Sequence, residues 1–293
     1  MHVAHLGMDP GNHNVQFPAV GGGAQDHVGA GTIGREATSK RMRRHAGRVI
    51  GLILLALLLW WSFRGTEFEP ARLAGSFTRA RDILSQMWPP DRSVLPKALL
   101  SLAVTMQMAV LGTFFGFIGA LPVSFLAART PALPTVFSTA VKMALNVLRA
   151  IPSLVYAILF VYIVGLGPFT GALGIGVGSF VFMAKLFAEA LESVHPAPIE
   201  AVKAVGGRPL QVFAYAMLPQ AWPQFLSHTL YAWELNIGSA TIVGIVGAGG
   251  IGYEMVTLIH YYQWPQACVY ILVLVAMVLI ADQVSFQIRK RYA

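Results

Sequence analysis

A single cysteine, Cys268, occurs in the 293-residue chain, so no intrachain disulfide forms, and dithiol redox chemistry and a cysteine-based metal centre are both excluded. Charge is scarce as well. Only 12% of residues are charged, about half of the ~25% of an average soluble domain, which rules out an ordinary soluble enzyme. Disorder over most of the chain is ruled out too, because 56% of residues are hydrophobic. Among the few charges acids are the rarer kind, 13 Asp and Glu against 21 Lys and Arg. In a soluble protein that excess points to nucleic acid. In a membrane protein it marks the cytoplasmic side, and no nucleic-acid partner is expected.

Residues 1–44 read as a disordered basic cytoplasmic tail, rich in Gly, Ala, Asp and His and without apolar period. His2, His5, His13, His27 and His45 are spaced irregularly, with no carboxylate cluster, so no metal site is expected there. Lys40, Arg41, Arg43, Arg44 and Arg48 precede the apolar run Val49 to Phe63, and no small-residue cleavage site follows. An uncleaved signal anchor fits, at about 22 Å of helix against a ~30 Å hydrocarbon core. Residues 45–97 thus hold this anchor and then a periplasmic polar stretch. Leu73, Phe77, Leu84 and Trp88 recur there at helical spacing, and Trp88-Pro89-Pro90 ends the pattern. The spacing predicts an amphipathic helix lying on a membrane surface.

Five longer apolar stretches follow, at 98–126, 145–166, 171–191, 225–246 and 266–286, each with the roughly 20 residues a spanning helix needs. With the anchor they predict an all-α membrane protein of six spans, both termini cytoplasmic. Arg129, Lys142, Arg149, Lys185, Lys203, Arg208 and Arg289 to Arg291 then fall inside, and the loops around Gly167 and Gly250 carry no basic residue. The six basic residues of 64–97 run against this, and Glu67, Glu69, Asp82 and Asp91 partly offset them.

The loop 193–221 carries the clearest local signals. Pro198 is expected to start a helix, Glu200 to favour its positive end, and Gly206-Gly207 to end it. Arg208-Pro209 then starts a second short helix that Pro219 closes. Ile199, Val202 and Val205 are expected on the exposed surface, where a partner protein covers them. Glu200-Ala201-Val202, three residues, Gly206, then nine residues, Ala216, one residue and Leu218-Pro219 resembles the EAA loop of ABC-importer permeases. Val202 and Ala216 replace the Ala and Ile of that pattern with residues of like character.

Asn146 to Pro152, Gly165 to Pro168, Lys185 to Phe187, Ser239 to Thr241 and Val246 to Gly252 narrow the resemblance to the permease subunit of phosphonate ABC transporters, over about residues 95–293. The resemblance implies a type I importer permease domain at 98–293. It implies a homodimer joined to two ABC ATPase subunits, which bind ATP and Mg, and fed by a periplasmic phosphonate-binding protein at the bacterial inner membrane. The helix at Glu200 to Gly206 would sit in a groove of the ATPase. Phosphite, phosphate or another small oxyanion is the alternative substrate. This chain is not itself catalytic in that reading, since no G-x-x-x-x-G-K-[ST] occurs in it and ATP is hydrolysed by another chain.

Gly247-Ala-Gly249-Gly250-Ile-Gly252 satisfies G-x-G-x-x-G, but it follows a predicted spanning helix and no acidic residue lies about twenty positions on. Nucleotide binding is discarded there. A tight periplasmic turn and a flexible gate or docking loop remain open. In the fifth span Glu234, Gly238, Thr241 and Ile245 share a face. Glu234 would repel an anionic substrate, so it is expected to pair with Arg149 or Lys142, with gating as the alternative. Asn236, Ser239 and Thr241 are candidates for a neutral translocation path, against plain helix packing. Lys185, Glu189 and Glu192 read as a solvated helix end rather than an ATPase contact. His195, His228 and His260 read as interfacial, without a metal role. A secondary transporter would need an internal repeat, and an intramembrane enzyme a catalytic constellation; neither is found.

Overall fold

The computed structural model describes residues 30–66, 70–129 and 134–292, with no strand among them. The chain divides into two units, residues 1–75 and 76–293. The tail prediction for residues 1–29 lies outside the described residues. From Ala30, however, the first unit is helical: α1 spans Ala30–Gly65, so a helix replaces the disorder expected for residues 30–44. Glu36, Lys40, Met42 and the arginines are good helix formers, and no proline stops the apolar helix from extending towards its N-terminus. The anchor expected at 49–63 lies inside a stretch, Gly47–Gly65, long and apolar enough to cross a membrane.

Helix α2 spans Pro70–Gln86 and stops before Pro89, as its apolar spacing predicts. Phe77, Leu84 and Trp88 are exposed. Asp91 then caps a short turn by accepting the Ser93 N–H at 2.9 Å. The Ser93 hydroxyl and N–H hold the Asp91 carboxyl below the usual carboxylate range.

In the second unit α3 (Leu95–Ala127) and α6 (Pro168–Glu192) form the central pair. They approach closely because small residues line the seam: a Cβ on Gly116 would stand 2.6 Å from Ser179 Cβ. Around them lie α4 (Thr135–Arg149), α5 (Ser153–Val164), α9 (Leu218–Val243), α10 (Gly250–His260) and α11 (Trp264–Tyr292). A buried cluster at one end joins Phe187, Leu191, Met217 and Phe225, with the Phe187 and Phe225 rings stacked 4.1 Å apart. A second, with Met108, Ile175, Ile237 and Val243, fills the middle.

Two predicted spans are broken. The stretch 145–166 is not one straight helix: α4 and α5 meet at 79°, with Pro152 starting the second piece. Pro152 has no N–H to donate and disfavours helix in the residue before it. The amphipathic α4 therefore turns away from the apolar α5. The fifth span starts earlier than expected, at Leu218, and bends by 61° at Gly249 into α10. With each bent pair taken as one span, the described residues hold six candidate spans.

Candidate functional site

Helix α7 (Pro196–Ala204) begins two residues before the expected Pro198, because His195 caps it by accepting the Ala197 N–H at its Nδ1, 3.2 Å away. The His195 N–H donates to Gln220 Oε1 at 3.1 Å, which pins the start of α7 to the start of α9. At the other end Gly206 takes φ +81°, and the Gly207 N–H returns to Val202 O at 2.9 Å. Glu200, Ala201 and Val205 are exposed, whereas Ile199 and Val202 pack against the cluster around Phe187. Of the three apolar residues expected on the surface only Val205 is fully so.

Pro219 does not close the second short helix. Helix α8 (Pro209–Val212) runs through a wide π-turn at Phe213–Met217 into α9, and the Leu218 N–H reaches back to Phe213 O. A proline N–H is missing from any helix, and at the first turn of α9 that loss is harmless. Leu218 is half-buried and Ala216 buried, so this half of the motif anchors the loop while α7 is presented.

The membrane-embedded charge has a different partner from either residue expected. Arg289 Nη2 donates to Glu234 Oε1 at 3.0 Å, joining α9 to α11. Lys142 is 2.7 Å from Glu192 Oε1, and Arg149, at the end of α4, is exposed with no partner among the described residues. A pairing across 55 positions leaves no trace in local spacing. Lys185 is half-buried and donates to Asn146 Oδ1 at 3.3 Å, so it is not the fully solvated helix end the sequence predicts.

Of the three path candidates, Asn236, Ser239 and Thr241, two are buried within this chain and one is half-buried. Asn236 is buried, with its Nδ2 donating to Thr113 Oγ1 at 2.8 Å and sharing hydrogen bonds with Ser179 Oγ. Thr241 is buried and bonds to Ile237 O, and the half-buried Ser239 bonds to Leu235 O. The exposed face of α9 is Tyr231, Leu235, Gly238 and Ile242, continued by Ile245 in the turn after it. A helical wheel separates faces without telling which one meets a neighbour, and within this chain the polar face of α9 meets Thr113 on α3 and Ser179 on α6. Thr113 and Ser179 are the partners that sequence reasoning missed. Asn236→Leu should cost about 1–2 kcal/mol, read as a lower unfolding midpoint in detergent. Unchanged stability with defective transport would return Asn236 to the path.

Gly247, Gly249 and Gly250 have φ of +104°, +83° and +75°, which builds a compact turn and not a long loop. Thr105 Oγ1 on α3 accepts the Ile251 N–H at 2.9 Å, and Ala248, Ile251 and Gly252 are buried. Of the turn and the loop left open for Gly247 to Gly252, the backbone is that of a turn, followed by α10, which Lys97 and Glu254 hold to α3 at 2.8 Å.

Residues 120–292 match the model of the binding-protein-dependent transport system inner membrane component family. The chain belongs to that family. It is a multi-pass membrane protein, and the family's transport systems depend on a binding protein. It is 36% identical over 250 residues to the phosphite transport system permease protein PtxC of Stutzerimonas stutzeri, covering 85% of this chain and 90% of that one. It is 35% identical over 210 residues to the phosphate-import permease protein PhnE of Mycolicibacterium smegmatis, covering 71% of this chain and 40% of that one. Its fold is similar to that of a chain of the MetNI methionine ABC transporter in an inward-facing conformation, with TM-score 0.62 and 23% identity over 69% of this chain and 99% of that chain. The type I importer architecture expected for residues 98–293 agrees with that likeness.

Proposed function

We propose that this chain is the permease subunit of an ATP-driven importer of phosphorus oxyanions, phosphonates first, with phosphite and phosphate as the alternatives. The observation that carries the reading is α7, a short helix capped at both ends and pinned to α9, with Glu200, Ala201 and Val205 exposed. Such a helix is a rigid handle for a partner ATPase, which would supply ATP, Mg and the hydrolysis. The names of the relatives supply the substrate class. A second copy of the chain would complete the path, with the apolar exposed face of α9 available to it, while membrane lipid covers the remaining apolar surface. A periplasmic binding protein would deliver the anion to the end of the bundle that holds Gly250.

Basic residues support the orientation. Lys142, beside Glu192 at the end of α6, and Lys203 and Arg208, in and after α7, support a reading in which that end is cytoplasmic, and with it both termini. With Cys268→Ala as background, cysteines at Ser76 and Thr257 should react with an impermeant thiol reagent in intact cells, and one at Lys203 should not. The opposite pattern reverses the orientation.

The direct test is uptake of phosphonate, phosphite and phosphate into proteoliposomes holding the permease, its ATPase and its binding protein. Within that assay Gly206→Val forces a β-branched residue into φ +81° and should distort the end of α7. Uptake should fall at least tenfold at equal membrane insertion. Wild-type uptake by Gly206→Val would remove α7 from the coupling role.

A further inference from the structure

The break in the third span lies against a cation that no carboxylate matches. Lys185 is half-buried on α6, seven residues and about 10 Å short of the end of that helix at Glu192. Its Nζ reaches the neutral amide of Asn146, and no carboxylate is within 4 Å of it among the described residues. Glu192 is occupied by Lys142 and by the Arg129 N–H, and Glu189 is exposed one turn beyond Lys185. Arg149 shares a face of α4 with Lys142 and Asn146, at spacings of seven and three residues.

Two contacts fix the depth of the break. Asn146 on α4 meets Lys185, and Ser153 at the start of α5 meets Gly178, where an added Cβ would overlap the Ser153 hydroxyl. Gly178 and Lys185 lie on one face of α6, two turns apart. Arg149 and the bend at residues 150–152 therefore sit between those levels, within about two turns of Lys185. The Tyr156 hydroxyl donates to Leu148 O at 2.8 Å, which occupies one of the carbonyls at the end of α4 that would otherwise repel an anion. The first N–H groups of α5 begin at the same bend, and their dipole favours negative charge there.

We propose that this bend is an anion-relay site. Lys185 and Arg149, with the Asn146 amide, hold the tetrahedral phosphorus oxyanion transiently on its way through the cytoplasmic half of the membrane. Lys185, half-buried with only an amide partner, and Arg149, exposed and unpaired among the described residues, leave positive charge at the break that an arriving anion relieves. When the anion leaves, Lys185 returns to the Asn146 amide, so binding is weak enough to permit release. The site rests on the importer reading above and names the residues that handle its substrate class.

The test compares Arg149→Gln/Lys185→Gln with Arg149→Lys/Lys185→Arg in the reconstituted complex. The neutral pair should lose at least tenfold in uptake of phosphite and methylphosphonate, while ATP hydrolysis stimulated by the binding protein falls far less. The charge-keeping pair should recover most of the uptake. Unchanged uptake by the neutral pair overturns the site, and so does equal loss of uptake and hydrolysis in both pairs, which marks a structural role. A second arm needs no transport: Ile151→Cys, exposed at the bend, is placed in the Cys268→Ala chain. An anionic thiosulfonate should modify it at least tenfold faster than a cationic one, relative to free cysteine, and inorganic phosphate should slow the reaction. Equal relative rates overturn the site. Failure of the wild-type complex to take up any phosphorus oxyanion, with the thiol arm positive, sinks the substrate assignment instead.

Discussion

Gly252→Val should yield no folded permease in detergent extracts, seen as loss of the monodisperse peak of a fluorescent fusion on size-exclusion chromatography. A Cβ at Gly252 would overlap the carbonyl oxygen of Thr241, and α10 has no room to retreat because the Ile251 N–H is bound to Thr105. Backbone against backbone cannot be relieved by a rotamer change, so the cost exceeds the roughly 1–3 kcal/mol of ordinary overpacking. Gly238→Ala is the control. A Cβ there meets nothing within 4 Å, and the position lies in the middle of α9. Removing glycine from a helix interior should raise stability by about 0.5–1 kcal/mol. A Gly252→Val chain that behaves like Gly238→Ala would mean that α9 and α10 do not meet as described.

Glu234→Ala should lower stability by about 2–3 kcal/mol, measured from the denaturation curve of the purified protein. Breaking a fully buried pair costs about 3–5 kcal/mol, and this pair falls short of that because the Arg289 and Glu234 side chains remain 27% and 17% exposed. Glu234→Gln should be milder, since its amide oxygen still accepts from Arg289. The swap Glu234→Arg with Arg289→Glu should recover most of the loss. A swap no better than either single change would sink the ion pair as the stabilising element. An alanine variant with native stability and lost uptake would make Glu234 a gating residue instead.

Much of the architecture was legible because hydropathy reads the solvent directly: a run of about 20 apolar residues matches the thickness of a bilayer's hydrocarbon core. The presented helix was legible for a different reason. Proline at a helix start and glycine at its end are backbone constraints that act within a few residues; Gly206 ends the helix as expected, and the start falls at Pro196, two residues before Pro198. The pairing of Glu234 was not legible, since Arg149, Lys142 and Arg289 are equally charged and only the packing of α9 on α11 chooses among them. The bend before α5 had a signal that hydropathy averages away. Lys142, Asn146 and Arg149 recur on one face immediately before Pro152, which marks a polar-faced helix ending at a proline. The inward turn of Asn236 had no signal of its own, because Thr113 and Ser179 are unremarkable hydroxyls until three helices bring them together.

The continuity of α8, the π-turn and α9 makes a lever of the whole segment. From Leu218 to Val243 the helix is 26 residues long, roughly 39 Å, with Pro223 in its second turn and a short arm on the α7 side of the π-turn. A tilt of only about 5° at that fulcrum sweeps the far end through about 3 Å, comparable to the radius of a small oxyanion. The sharp corner at Gly249 passes that sweep to α10, whose start is tethered to Thr105 on a different helix. With α7 as the proposed handle, pinned to the start of α9 by His195 and Gln220, a pull on it would reach the corner at Gly249 through the helix itself.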